Sequence, residues 1–102
     1  MIKVKFVCVA GMSTSLLVEK IKKVAQDRTI EIELEAIPEA EARKGIDGIN
    51  VVLLGPQVRY LEKSMRKSLP DSTALGVVDM LAYGRMDGEK VLDQILSLHE
   101  SK

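Results

Sequence analysis

The chain has 102 residues, of which 46% are hydrophobic and 29% charged, which suits one domain with a single hydrophobic core. Fifteen basic residues balance fifteen acidic ones and only three residues are aromatic, which argues against a nucleic-acid surface. One cysteine excludes an intrachain disulfide, and with a single histidine it gives no thiol-rich metal site. No segment is apolar enough for a signal peptide or a membrane span. We therefore expect one soluble domain, residues 1–102, in a reducing compartment.

The first part of the chain predicts two strands that flank a helix. Over Ile2–Val9, apolar residues first alternate with lysines and then run without interruption, which is typical of a strand that enters a two-sided core. A turn of small residues follows, and the spacing of Leu17 and Ile21 predicts an amphipathic helix. Residues 29–37, TIEIELEAI, alternate strictly and predict a half-exposed or edge strand that ends at Pro38.

The second part repeats this alternation of helix and strand. Residues 38–45 predict a short helix that ends at the glycine, and the continuous apolar run INVVLLG (49–55) predicts a strand covered on both faces. Residues 56–69 predict one helix, residues 73–79 a short buried strand, and residues 87–100 a final amphipathic helix. The order β-α-β-α-β-α-β-α favours an α/β fold: an open four-stranded parallel sheet with helices on both faces.

The single cysteine, Cys8, is predicted at the carboxyl end of the first strand, where ligands bind in such sheets. A loop from strand to helix directs backbone N–H groups at one point, and the helix dipole adds positive partial charge there. The small and hydroxylated residues 10–15 let a backbone approach an anion, and Ser13 or Thr14 can cap the helix. The pattern predicts an accessible, partly ionised nucleophile. A buried, inert cysteine is the alternative that these residues leave open.

Four segments carry a resemblance to enzyme IIB of the sugar phosphotransferase system, in its lactose, cellobiose and chitobiose family. The first is CVAGMSTSLL (8–17), which resembles the active-site segment of that family. The others follow in order as EAIPEAEA (35–42), VVLLGPQVRYLE (51–62) and VVDMLAYGRMDGEKVL (77–92). The likeness is strongest to the cellobiose-type branch.

This resemblance implies a phosphocarrier, a protein-phosphocysteine–sugar phosphotransferase. Its cysteine accepts a phosphoryl group from a phosphohistidine of enzyme IIA and passes it to a sugar held by the membrane component IIC. The sugar is expected to be a β-linked disaccharide such as cellobiose or diacetylchitobiose. The implied protein is a monomer in the bacterial cytoplasm, transiently at the inner face of the membrane through IIC. It binds no nucleic acid and needs neither a metal nor a cofactor.

The resemblance also assigns site residues. Cys8 is the phosphorylated residue, and Ser15, Gln57 and Asp79 are candidates for the rim or for support. A helix start explains Gln57 equally well, a helix cap explains Asp79 better, and the role of Tyr83 stays open. The implied phosphate-binding loop consists of Val9, Ala10, Gly11, Met12, Ser13 and Thr14.

The fold and the loop are also similar to those of low-molecular-weight tyrosine phosphatases, which implies the strand order 2-1-3-4. Those enzymes carry cysteine, five residues, then arginine and Ser/Thr. Here Thr14 and Ser15 follow the five residues, and the arginine is absent. Because a guanidinium stabilises charge on a transferred phosphoryl group, its absence disfavours the alternative of a cysteine-dependent phosphatase. A redox role would need a second, resolving thiol that the chain lacks.

Overall fold

The computed structural model describes residues 1–9, 12–44 and 46–102, and a four-stranded parallel sheet forms its centre. The strands are β1 (Ile2–Cys8), β2 (Ile32–Pro38), β3 (Val51–Leu54) and β4 (Ala74–Val77). Their spatial order is β2-β1-β3-β4. Both the predicted architecture and the predicted strand order are confirmed.

The helices lie between and after the strands. They are α1 (Met12–Asp27), α2 (Glu39–Arg43), α3 (Glu62–Ser68), α4 (Met80–Gly84) and α5 (Gly88–Glu100), and a 3₁₀ segment (Pro56–Leu61) precedes α3. None of the described helices is long and apolar enough to cross a membrane.

Helices cover the two faces of the sheet, and each face has its own core. Because side chains alternate along a strand, Phe6 packs on the face of α1 and α5, whereas Val7 packs on the face of α2 and α3. The first core contains Val4, Phe6, Leu17, Ile21, Leu53, Val91, Leu92 and Ile95, among others. The second contains Val7, Val52, Leu54, Val58, Leu61, Met65 and Leu69, among others. The uninterrupted apolar runs of β1 and β3 follow from this double cover.

The alternating charges of the first two strands pair across the sheet. The register places Lys3 opposite Glu33 and Lys5 opposite Glu35, and the Lys5 ammonium donates to the Glu35 carboxylate. Strand β2 lies at the edge of the sheet, as its alternation predicted. Opposite charges directly across the strand pair favour this register over one shifted by a single residue, which would place the lysines opposite apolar residues.

Two regions differ from the prediction. Residues 56–69 do not form one helix, because the 3₁₀ segment Pro56–Leu61 precedes α3 and Val58 has non-helical backbone angles (φ −118°, ψ 18°). Val58 and Leu61 are three residues apart, and that spacing fits a 3₁₀ turn as well as an α-helix. The short helix α4 was not predicted, because its five residues are too few to show periodicity. The predicted end of the second helix at Gly45 lies outside the described residues.

Candidate functional site

Cys8 is the last residue of β1, at the carboxyl edge of the sheet. In the register of β1 with β2 it pairs with Pro38, the last residue of that strand. The 16-residue helix α1 begins at Met12, so its amino-terminal end lies at the same edge. The predicted arrangement of a cysteine between a strand end and a helix start is therefore present.

The Cys8 side chain is buried, with 4% of the residue exposed. Its Sγ donates to the carbonyl oxygen of Ile37 across a distance of 3.7 Å. The prediction of an accessible thiol is therefore wrong for this structure. The reason is that β1 stays paired with β2 to its last residue, which keeps the thiol against the neighbouring strand.

The structure describes part of the predicted phosphate-binding loop. Val9 directly follows the cysteine and is 56% exposed. Ala10, Gly11 and the side chains of Met12 and Ser13 lie outside the described residues. The backbone of α1 begins at Met12, so residues 12–14 of the predicted phosphate-binding segment belong to the first turn of this helix.

Thr14 lies in the first turn of α1 and not in the loop. It is 2% exposed, and its hydroxyl oxygen is 3.1 Å from that of Tyr83, so that either hydroxyl can donate to the other. Thr14 is therefore not the residue that caps α1, because it lies inside the helix and its hydroxyl contacts Tyr83. The next residue, Ser15, is exposed.

Tyr83 is the functional candidate that the sequence did not define. It lies in α4, where its hydroxyl meets Thr14 and its ring faces the ring of Phe6 at a centroid distance of 6.3 Å. Phe6 precedes Cys8 by two residues on β1, whereas Thr14 follows it by six on α1. One side chain thus contacts the chain on both sides of the cysteine. One indication of this role was present in the sequence, namely that Tyr83 is one of only three aromatic residues in the chain.

Asp79 caps helix α4. Its carboxylate accepts from the backbone N–H of Ala82 at 2.9 Å, as the cap interpretation predicted. Its own backbone N–H donates at 2.9 Å to the side-chain oxygen of Gln94, whose amide nitrogen donates to the Val77 carbonyl at 2.7 Å. The Gln94 amide therefore holds the backbone between β4 and α4, a role that no pattern in the sequence predicted.

Gln57 lies near the carboxyl end of β1, because Gly55, two residues before it, is hydrogen-bonded to that strand. The Gly55 N–H donates to the Val7 carbonyl at 2.8 Å. A Cβ on this glycine would lie 3.2 Å from that same carbonyl oxygen and 3.3 Å from the Gln57 side-chain oxygen. The glycine thus permits a close approach of two backbones next to the cysteine. The Gln57 residue itself is exposed at this edge.

A charged cluster follows the end of β2. Glu39 accepts from the Arg43 guanidinium through Nε at 2.8 Å and Nη2 at 2.7 Å, and from the Tyr60 hydroxyl. The hydrogen bond from Tyr60, and next that from Arg43, hold the pKa of Glu39 below its usual range. The same bond raises the pKa of Tyr60. Among the described residues, no group of His, Cys, Asp and Glu side chains is arranged to hold a metal ion.

Comparison with known proteins identifies the family of this chain. The family model described as "PTS system, Lactose/Cellobiose specific IIB subunit" matches residues 3–94. The chain belongs to this family. It is 39% identical over 97 residues to the oligo-beta-mannoside-specific EIIB component of Bacillus subtilis, with 94% of each chain covered. It is 38% identical over 91 residues to the cellobiose-specific EIIB component of Lactococcus lactis, with 83% of this chain and 84% of the relative covered.

A galactose-specific EIIB component of Lactococcus lactis is similar to the same degree, at 37% identity over 91 residues, 83% of this chain and 84% of the relative. A solution structure of a cellobiose-specific IIB protein from Borrelia burgdorferi superposes with a TM-score of 0.76 at 35% identity, covering 99% of this chain and 94% of that one. The lactose-specific IIB domain from Streptococcus pneumoniae superposes with a TM-score of 0.84 at 16% identity, covering 96% and 97%, and shows the shared fold. These IIB domains share the fold of low-molecular-weight tyrosine phosphatases, as predicted.

Proposed function

We propose that this IIB component takes a phosphoryl group from a phosphohistidine of enzyme IIA onto Cys8 and passes it to a sugar bound by IIC. IIB components of the phosphotransferase system are transferases that work with IIA and IIC partners. One observation carries the assignment to a residue: the only cysteine ends β1 at the edge where the helix α1 begins. Backbone N–H groups at a helix start stabilise a phosphoryl group without any cationic side chain.

The first transfer needs no reactant other than Cys8 and the phosphohistidine of IIA. The bond between Cys8 Sγ and phosphorus forms while the bond between phosphorus and the IIA imidazole nitrogen breaks. The thiol proton, which the structure directs at the Ile37 carbonyl, ends on the departing imidazole nitrogen. In the second step a sugar hydroxyl attacks phosphorus, the bond between Cys8 Sγ and phosphorus breaks, and the hydroxyl proton ends on the cysteine sulfur.

Burial of Cys8 adds a requirement to this proposal. With 4% of the residue exposed, the thiol must leave its contact with Ile37 before a partner's phosphohistidine reaches it. We propose that docking of IIA supplies that opening.

Thr14 supports transfer over hydrolysis. It occupies the position where the related phosphatases have their arginine, six residues after the cysteine. Its side chain is uncharged, buried and engaged with Tyr83. In other phosphoryl transfers an arginine raises kcat on the order of 10³- to 10⁵-fold by stabilising the charge of the transition state. Without a guanidinium, we expect water to attack the phosphocysteine much more slowly.

The relatives support a β-linked sugar. Two of them are named for an oligo-β-mannoside and for cellobiose, and a third for galactose, all at 37–39% identity. We propose a β-linked disaccharide, such as cellobiose or diacetylchitobiose, as the sugar that IIC presents. We place the protein as a monomer in a bacterial cytoplasm, transiently at the inner face of the membrane where IIC lies.

Intact mass spectrometry tests the assignment to Cys8. Incubation with phosphoenolpyruvate, the general phosphotransferase proteins and a cognate IIA is expected to add one phosphoryl group to the wild-type chain. Cys8→Ser should show no stable adduct, whereas His99→Gln, which removes the only histidine, should keep it. An adduct retained in Cys8→Ser, or none on the wild type while IIA is phosphorylated, contradicts the proposal. Rapid turnover of an aryl phosphate without partners would instead support the phosphatase.

A further inference from the structure

We propose that Tyr83 is a positioning residue for phosphoryl transfer, which links the strand before Cys8 to the helix after it. This inference rests on the proposed function of Cys8 and assigns a further residue to that site. Tyr83 belongs to α4, a helix remote in sequence from the cysteine. It is therefore a third element at the site, in addition to β1 and α1.

Two contacts of one side chain define this link. The rings of Tyr83 and Phe6 lie with their centroids 6.3 Å apart and their planes tilted at 49°, a distance within the usual range of aromatic contacts. Its hydroxyl meets the hydroxyl of Thr14, a residue that is 2% exposed. Phe6 and Thr14 flank the segment that contains Cys8. The side chain of Tyr83 thus contacts both the strand before Cys8 and the helix after it.

The helix that carries Tyr83 is itself held firmly. Asp79 caps its start, and the Gln94 side chain on α5 binds the backbone on both sides of Val78. At its end, the Asp87 N–H donates to the Ala82 carbonyl at 2.8 Å. Gly88 then packs so closely on α1 that an added Cβ would lie 3.0 Å from backbone atoms of Lys20. Tyr83 therefore acts from a fixed base and not from a free loop.

A fixed first turn matters because the N–H groups of a helix start are the donors available to a phosphoryl group. If the Tyr83 hydroxyl is removed, the buried Thr14 hydroxyl loses this partner, and we expect the first turn of α1 to shift or fray. Small displacements of positioning groups have large effects on transfer rates. We expect the rate of phosphorylation to fall about tenfold, the scale of one lost hydrogen bond in a transition state.

Phosphoryl transfer from phosphorylated IIA measures this effect. Tyr83→Phe keeps the ring and is expected to lower kcat about tenfold with an unchanged KM for IIA. Thr14→Val should reproduce the loss, Thr14→Ser should restore the rate, and Tyr83→Phe combined with Thr14→Val should be no slower than either alone. The matched control is Tyr60→Phe, which removes the hydroxyl that meets Glu39 and should leave kcat unchanged. Normal kcat in Tyr83→Phe, or additive losses in the double variant, overturns the proposal.

Amide hydrogen exchange gives a readout that does not need Cys8 chemistry. The amides of residues 16–18 close the first turn of α1, so Tyr83→Phe should raise their exchange about tenfold while amides of β3 stay unchanged. If the wild type is not phosphorylated but Tyr83→Phe raises the exchange of residues 16–18, the proposed function of Cys8 is wrong, whereas the proposed link between Tyr83 and α1 is supported. If the wild type is phosphorylated and Tyr83→Phe changes neither the exchange nor kcat, the proposed role of Tyr83 is wrong, whereas the proposed function of Cys8 is supported.

Discussion

The two faces of the sheet differ in the polar contacts that join their elements. On the face of α1 and α5, the hydroxyl of the buried Thr14 meets that of the half-buried Tyr83, and the Gln94 amide binds the adjoining backbone. On the other face, the charged cluster of Glu39, Arg43 and Tyr60 joins α2 to the 3₁₀ segment at the surface. Near the carboxyl edge, the first face thus has neutral hydrogen bonds of buried or half-buried side chains, and the second has an exposed ionic cluster. At the other end of α1, the first face also has an exposed ion pair between Arg28 and Asp93.

The difference matters because the two kinds of contact contribute differently to stability. A buried polar group left without its partner costs about 1–3 kcal/mol, whereas an exposed ion pair is worth about 0–1 kcal/mol and is weakened by salt. We therefore expect the α1 and α5 face to control both the stability of the domain and the geometry around Cys8. The following predictions test that contrast, and their expected effects decrease in order.

The largest effect is expected from the two cores. Leu92 on α5 is fully buried, so Leu92→Ala should lower the free energy of unfolding by about 3 kcal/mol. Met65 on α3 is 7% exposed and lines a groove of about 290 Å³, where neighbouring side chains and water can adjust. Met65→Ala should therefore cost less, about 2 kcal/mol. Denaturant unfolding measures both, and equal losses would contradict the contrast between the faces.

An intermediate effect is expected from Gln94. Gln94→Met keeps the length of the side chain but leaves the Val77 carbonyl and the Asp79 N–H without this partner. The free energy of unfolding should fall by about 1–2 kcal/mol. Gln26→Met, at an exposed position of α1, is the matched control and should stay within about 0.5 kcal/mol of the wild type. A Gln94 variant as stable as this control would show that the α4 region is held by other contacts.

The smallest effect is expected from Glu39, and it depends on pH. Hydrogen bonds from Tyr60 and then Arg43 lower the pKa of Glu39 in the folded state. The carboxylate therefore stabilises the fold above its ordinary pKa, and this contribution is lost as the pH falls through the lower folded value. Glu39→Gln should therefore lower the thermal midpoint slightly at pH 7, and the difference should vanish in acid and shrink with added salt. Glu31→Gln, at an exposed position, is the control variant because it changes the net charge by the same amount. A difference that persists in acid contradicts the ionic origin.

Periodicity predicted most of the fold correctly. The four strands, their parallel arrangement and the helices on both faces follow from patterns that each span a single element, and the charges of β2 marked it as an edge strand. The prediction was wrong over residues 56–69, since Val58 and Leu61 fit a 3₁₀ turn and an α-helix equally. It missed α4 because a five-residue helix is defined by its Asp79 cap and not by its period.

The site was predicted less completely. The sequence located Cys8 at the carboxyl edge and indicated the cap at Asp79, because both depend on neighbours along the chain. It did not predict the burial of Cys8, which depends on β1 and β2 ending in register. It left Tyr83 without a role, since its partner Thr14 is 69 residues away.

The sequence by itself determined the order of the elements, the sheet class, the place of the cysteine and the resemblance to the IIB family. These properties are local, because apolar spacing, charge alternation and small-residue turns act within one element or between neighbours. Only the tertiary structure decided which side chains meet across the site. Docking of α4 and α5 on α1 brings Tyr83 to Thr14, and that depends on packing of distant segments to which no local pattern is sensitive.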